Sequence, residues 1–446
     1  MNKKTWWVVH LAVVLGAALP ALAIEVPLAY VRCDKDAEAA SRPSSTYVSC
    51  EAKAPAGEWK LPPLVSKEPQ YSMARIVDQE RLMIFDQEQP EDTFYTRVYF
   101  DANGNRDLTD DAVISGTVER TGALTEARFS PIEFAFTVGG KQLSYSMTPE
   151  ATRFNPGAII GFALRMLSSG IDKPLIRLDS NCVYAGEFDL DGHHYRVTLL
   201  DENVDGRFDE RLTVIPLFQD EIEISSHGDS ISIQDTAEDS TCRTRQTLGN
   251  VLVLGETLFE VDLRIAEGKM VLTPYTGDAS SALLPASFET LTLYSDEPNQ
   301  KGVMMFRPAQ KIPLPCGSYR LLQYDILRSD EQGDRWILSA VGTKEGAAFA
   351  VAKGADTPVV LGEPFSPVVT VAGGKLKRSF FGGTSAQLEV ITKGAGNEKV
   401  SDVAHMSGRN TKLPLADRDP RSPKEPRYKV TKADGEIASE GAFRYG

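Results

Sequence analysis

Short runs rich in β-branched and aromatic residues recur in pairs along the chain, each pair split by turn-forming residues, and no other feature limits the fold as strongly. Glu133 to Val138 and Gln142 to Met147 flank Gly139-Gly140, while Gly186 to Leu190 and His193 to Leu200 flank Asp191-Gly192. Near the end, Tyr428 to Thr431 and Glu436 to Tyr445 flank Ala433-Asp434-Gly435. Glycine supplies the positive φ that a tight hairpin turn requires, and the flanking runs have strand chemistry. Helical spacing is rare: only Gly157 to Ser168 gathers apolar residues on one side, and a buried strand or loop fits there as well. The expected fold is mainly β, built from several antiparallel β-sandwich-like units.

A chain of 446 residues exceeds one ordinary domain. The expected division is a β-rich region over 24–247, a β domain over 248–355, and an immunoglobulin-like β-sandwich over 356–446. Gly362-Glu363-Pro364-Phe365-Ser366-Pro367 reads as a linker, because closely spaced prolines resist ladder pairing. The last unit has the length and short strands of a generic sandwich but no cysteine. Ser407 to Arg427 is expected to be a long exposed loop.

Lys3 and Lys4, the apolar run Trp6 to Leu19 and the small-x-small ending Ala21-Leu22-Ala23 together form the pattern of a cleavable signal peptide over 1–23. The mature chain is therefore expected to be exported, either secreted or held in a periplasm or at a cell surface. No second long apolar run predicts a membrane span after cleavage. The formal charge of −14 disfavours nucleic acid and anionic membranes and makes cations the natural partners. Cys33, Cys50, Cys182, Cys242 and Cys316 all lie in the exported part, where disulfides persist, and none forms a CxxC. Cys33 with Cys50 is the expected pair, since it would close the polar stretch between them.

The chemistry concentrates in two Asp-rich stretches. Asp201-Glu202-Asn203-Val204-Asp205-Gly206-Arg207-Phe208-Asp209-Glu210 reads DxNxDGxxDE. Oxygens of Asp201, Asn203 and Asp205 converge if Gly206 takes the sharp turn, with the Arg207 carbonyl turned inward and Asp209 or Glu210 closing the shell. Five carboxylates against Arg207 and Arg211 are unfavourable at close range unless a cation joins them. Asp101-Ala102-Asn103-Gly104-Asn105-Arg106-Asp107-Leu108-Thr109-Asp110-Asp111 repeats the alternation through Asp101, Asn103, Asn105 and Asp107, closed by Asp110 or Asp111. Here Arg106 stands where the turn prefers glycine. Arg97 to Asp101 and Arg196 to Asp201 form an echo about 100 residues apart, consistent with two related β units or with coincidence. The competing reading of both stretches is a metal-free polar turn held by Asx bonds.

The stretch that begins at Asp201 resembles the calcium loops of EF-hand, dockerin and thrombospondin type 3 repeats over about ten residues. That resemblance implies structural Ca2+ held by oxygen ligands. It departs from the EF-hand at position 12, where Leu212 replaces the bidentate Glu, and its flanks read as strands.

No catalytic residues are assigned. HExxH, a credible GxSxG and phosphate-binding glycine loops are missing, and His193 and His194, adjacent on a strand, point to opposite faces. Trp336 reads as core, whereas Trp59 beside Pro62 and Pro63 could meet a sugar. The expected role is an exported non-enzymatic binding, adhesion or scaffold protein with a protein or glycan partner, stiffened by calcium. The alternative is a secreted hydrolase cutting polysaccharide with paired carboxylates.

Overall fold

The computed structural model describes residues 23–33, 44–77, 79–121, 124–138, 140–154, 173–211, 228–237, 244–285, 288–295, 297, 302–306, 310–343, 346–371, 377–378, 384–385, 388–406, 412–413 and 427–442. The helical candidate at 157–168, most of the signal segment and most of the loop at 407–427 lie outside them. Among the described residues the chain is nearly all β, with no α-helix and no helix long and apolar enough to cross a membrane.

The hairpins form where the turn residues place them. Ile132–Val138 pairs with Lys141–Phe154, and Cys182–Leu190 pairs with His193–Leu200 around Asp191 and Gly192, whose φ values are 51° and 83°. Arg427–Thr431 pairs with Ile437–Ala442, closed by Gly435 at φ 86°. Each turn is local chemistry acting over a few residues, which is why sequence reveals it.

Three antiparallel sheets surround the first core. The first runs Ser45–Val48, Leu175–Ser180, Lys141–Phe154, Leu124–Phe129, Ile114–Thr121, Arg97–Phe100, Gln79–Asp86, Gln70–Ile76, with Ile132–Val138 paired to Lys141–Phe154 off this path. The second runs Thr244–Thr247, Ser230–Asp235, His193–Leu200, Cys182–Leu190, Ala29–Arg32, and the third joins Ile24–Pro27, Lys269–Pro274, Thr257–Arg264 and Val251–Leu254. Phe85, Phe100, Phe134, Tyr145, Val197, Leu199, Phe259 and Leu272 from these sheets form one buried cluster. Each large apolar side chain so buried contributes about 1.5–3 kcal/mol.

A second core gathers residues from Ala282 to Leu361. The hairpin Val251–Leu254 and Thr257–Arg264 belongs to both cores: Leu252 and Phe259 face the first, Val251 and Leu258 the second, because neighbouring strand residues point to opposite faces. The strands Ser366–Val371, Leu388–Lys393 and Lys399–Met406 extend the sheet of Gly317–Ser329 and Arg335–Val341.

The expected Cys33 to Cys50 disulfide is corrected. Cys50 is a buried free thiol that donates to the Pro174 carbonyl oxygen at 3.2 Å. It follows Ser45–Val48 at the edge of one sheet, whereas Cys33 follows Ala29–Arg32 at the edge of another. Closeness in sequence did not become closeness in space.

Candidate functional site

Both Asp-rich stretches leave the middle strand of an antiparallel triple and lead to its next neighbour. Asp101 follows Arg97–Phe100, between Gln79–Asp86 and Ile114–Thr121; Asp201 follows His193–Leu200, between Cys182–Leu190 and Ser230–Asp235. Counting each Asp as position 1, the backbone takes positive φ at positions 4 and 6 in both loops. These are Gly104 (74°) and Arg106 (68°) in the first, Val204 (58°) and Gly206 (85°) in the second. Arg106 therefore adopts the left-handed turn that its side chain disfavours.

The hydrogen bonds match as well. The position 1 carboxylate accepts from the position 5 amide at 3.1 Å in each loop. Its other oxygen accepts from position 6, at 3.3 Å from Arg106 and 2.7 Å from Gly206. Position 5 accepts from the amide of position 7, Asp107 onto Asn105 at 2.7 Å and Arg207 onto Asp205 at 2.8 Å. The position 3 amide donates to position 10, Asn103 to Asp110 at 3.4 Å and Asn203 to Glu210 at 2.6 Å. Position 8 anchors each loop, Leu108 and Phe208 being almost wholly buried.

The closing acid differs in a way that sequence spacing conceals. In the first loop Asp111 accepts from the Ala102 amide at 3.2 Å. In the second, position 11 is Arg211, whose guanidinium turns away to the carbonyls of Gly249 and Val261. The place of Asp111 is taken by Asp229, which accepts from Glu202 at 3.3 Å and Glu210 at 2.8 Å. Residues 212–227 separate it from the motif. The one sequence signal is that Asp229, like Asp111, stands just before the next strand.

The electrostatics separate the loops. Asp201 and Asp229 have no accessible surface and Asp205 has 7%. Burial, then the charge of Asp205, pushes Asp201 up to about 7 even though the Tyr145 hydroxyl donates to it at 2.5 Å. Burial, then Asp201, Glu210 and Asp205, pushes Asp229 up to about 9, and burial with Glu210 pushes Asp205 up to about 6. Asn203 Oδ1 is buried without a partner among the described residues. Asp209, by contrast, is exposed and pairs with the Arg207 guanidinium at 3.3 Å.

The first loop carries its own cations. Arg81, 3% exposed, donates to the Ala102 carbonyl, and the negative charges of Asp101 and Asp111 act on it. Lys60 pairs with Asp107 at 2.7 Å and holds that carboxyl down at about 2. Asn103 and Asn105 are exposed. Asp111 is raised to about 6 by burial and then by Asp101, Asp110 and Asp107; its Oδ2 is buried without a partner among the described residues.

The carboxylates are held by backbone amides, and among the described residues no three His, Cys, Asp or Glu side chains gather around one point. The donors that remain for a hard cation are the amide oxygen of Asn203, carbonyls and the second lone pairs of the carboxylates. That chemistry suits Ca2+ in the second loop better than in the first, where a guanidinium already sits among the acids. His193 and His194 take separate partners, Asp235 at 2.6 Å and Asp189 at 2.7 Å. Trp59 is half-buried against the cluster of Leu82, Ile84, Tyr99 and Leu108, and Trp336 donates to Asp330 at 2.9 Å. The chain matches no protein-family model, no curated protein and no solved structure.

Proposed function

We propose that this chain is an exported, non-enzymatic binding, adhesion or scaffold protein whose Asp-rich loops are stiffened by Ca2+, the second loop holding the stronger site. The ligands would come from Asp201, Asn203, Asp205, the Arg207 carbonyl and Glu210, with Asp229 supplying further negative charge. The single observation that carries this reading is the repulsion within the set Asp201, Asp205, Glu210 and Asp229 in a buried turn whose Asn203 oxygen has no partner among the described residues. A divalent cation would offset that repulsion. Signal cleavage, export and the protein or glycan partner belong to the same proposal and rest on the N-terminal pattern and the acidic surface. The hydrolase alternative gains no support from Asp201 and Asp229: a substrate cannot reach carboxyls with no accessible surface.

Extracellular calcium modules bind with dissociation constants of about 0.1 to 1 mM. At about 1 mM calcium, a site of about 0.1 mM would add roughly 1.4 kcal/mol of stability. Thermal unfolding with calcium and with EDTA tests this. A melting temperature several degrees higher in calcium, unchanged by equal magnesium, supports the reading, and coincident curves refute it.

A further inference from the structure

We propose that the two Asp-rich loops are not independent but are coupled through the turn that joins Gln70–Ile76 to Gln79–Asp86, so that loosening either loop loosens the other. One connection is polar. The Val77 amide donates to the Asp205 carbonyl at 2.7 Å, tying that turn to the second loop. Val77 holds φ 54°, a costly conformation for a β-branched residue that persists only when its surroundings enforce it. Two residues on, Gln79 lies against the first loop, where a Cβ on Gly104 would come within 2.8 Å of its Oε1. Arg81 then donates to Gln79 at 3.5 Å and to the Ala102 carbonyl.

The second connection is aromatic. The Arg81 guanidinium lies 5.0 Å from the centre of the Phe134 ring, and Phe134 meets Tyr145 at 5.4 Å and Phe136 at 6.3 Å. Tyr145 donates to Asp201, and Phe136 packs against Gly206, where a Cβ would stand 2.9 Å from its ring. The first loop's position 2 carbonyl and position 4 glycine, and the second loop's position 1 carboxylate and position 6 glycine, are thus built on neighbours that touch the other loop's supports. Packed side chains in a close core do not move singly, so local opening should spread between them.

The coupling does not depend on a metal, so it is tested in EDTA by native-state hydrogen exchange. In Arg81→Met, which disturbs the first loop, the amides of Asp205 and Gly206 should exchange on the order of tenfold faster, a typical coupling between contacting groups. In Tyr145→Phe, which disturbs the second, the amides of Asn105 and Arg106 should accelerate likewise. If Arg81→Met does not fold, Gln79→Ala serves in its place at an exposed position. Leu293→Ala in the second core should leave both sets unchanged. Acceleration confined to the mutated loop overturns the proposal, and so does equal acceleration of every amide, second core included.

Discussion

The first and second Asp-rich loops share backbone turns, hydrogen-bond pattern and anchor position, yet they differ in what surrounds their charges. The first lies largely at the surface and has Arg81 and Lys60 among its acids. The second buries Asp201, Asp205 and Asp229 together, and burial, followed by the charges of neighbouring acids that include Glu210, raises all three. An Asp-rich motif therefore sets a turn, while the neighbours decide whether that turn has use for a cation. A loop that carries a guanidinium is already near charge balance; one that buries only acids is not.

The widest separation between the loops is expected at the closing acid. Asp229→Ala leaves the Glu202 and Glu210 amides unpaired in a buried turn and should cost about 3 kcal/mol, whereas Asp111→Ala frees only the Ala102 amide and should cost about 1 kcal/mol. Chemical denaturation of both variants checks this, and equal costs would remove the distinction.

Next come the glycines. Gly206→Ala places a Cβ 2.9 Å from Phe136, a ring packed between Phe134 and Tyr145, at φ 85°, and should cost about 2 kcal/mol. Gly104→Ala presses on the tip of the exposed Gln79 side chain, with Arg81 at an ordinary 3.7 Å, and should cost about 1 kcal/mol.

A smaller effect separates the loops by pH. Asp201, Asp205 and Asp229 bind protons more tightly in the folded chain than at the ordinary value of 3.8. The metal-free fold therefore gains from them fully below about pH 4, and that gain is lost as pH rises through about 6 to 9. Asp229→Asn keeps the shape and one of the two acceptors, at the cost of turning its NH2 group toward the other backbone amide, but it cannot ionise, so in EDTA its melting temperature measured against wild type should rise from pH 5 to pH 9. Asp107→Asn should show no such gain, because Lys60 already holds Asp107 ionised.

How much of this was legible in the sequence follows from the range over which each signal acts. The hairpins at Gly139-Gly140 and Asp191-Gly192 were readable because the turn is decided by adjacent residues, and so were positions 1, 3 and 5 of each loop. Asp229 was not, since residues 212–227 intervene and only folding brings it beside Glu210. Arg81 was not, because it reaches the first loop across a strand pair. The positive φ of Val204 and Arg106 runs against local preference, so the turn there is imposed by the carboxylate of position 1 collecting two amides. Cys33 and Cys50 misled for the opposite reason, since their nearness along the chain says nothing of which sheet each strand joins.

Calorimetric titration of the protein with calcium tests the contrast most directly, using Asp201→Asn with Asp205→Asn in one variant and Asp101→Asn with Asp107→Asn in another. The account predicts that the stronger binding heat vanishes in the first variant and survives in the second. A heat that persists undiminished when Asp201 and Asp205 are both replaced would contradict it.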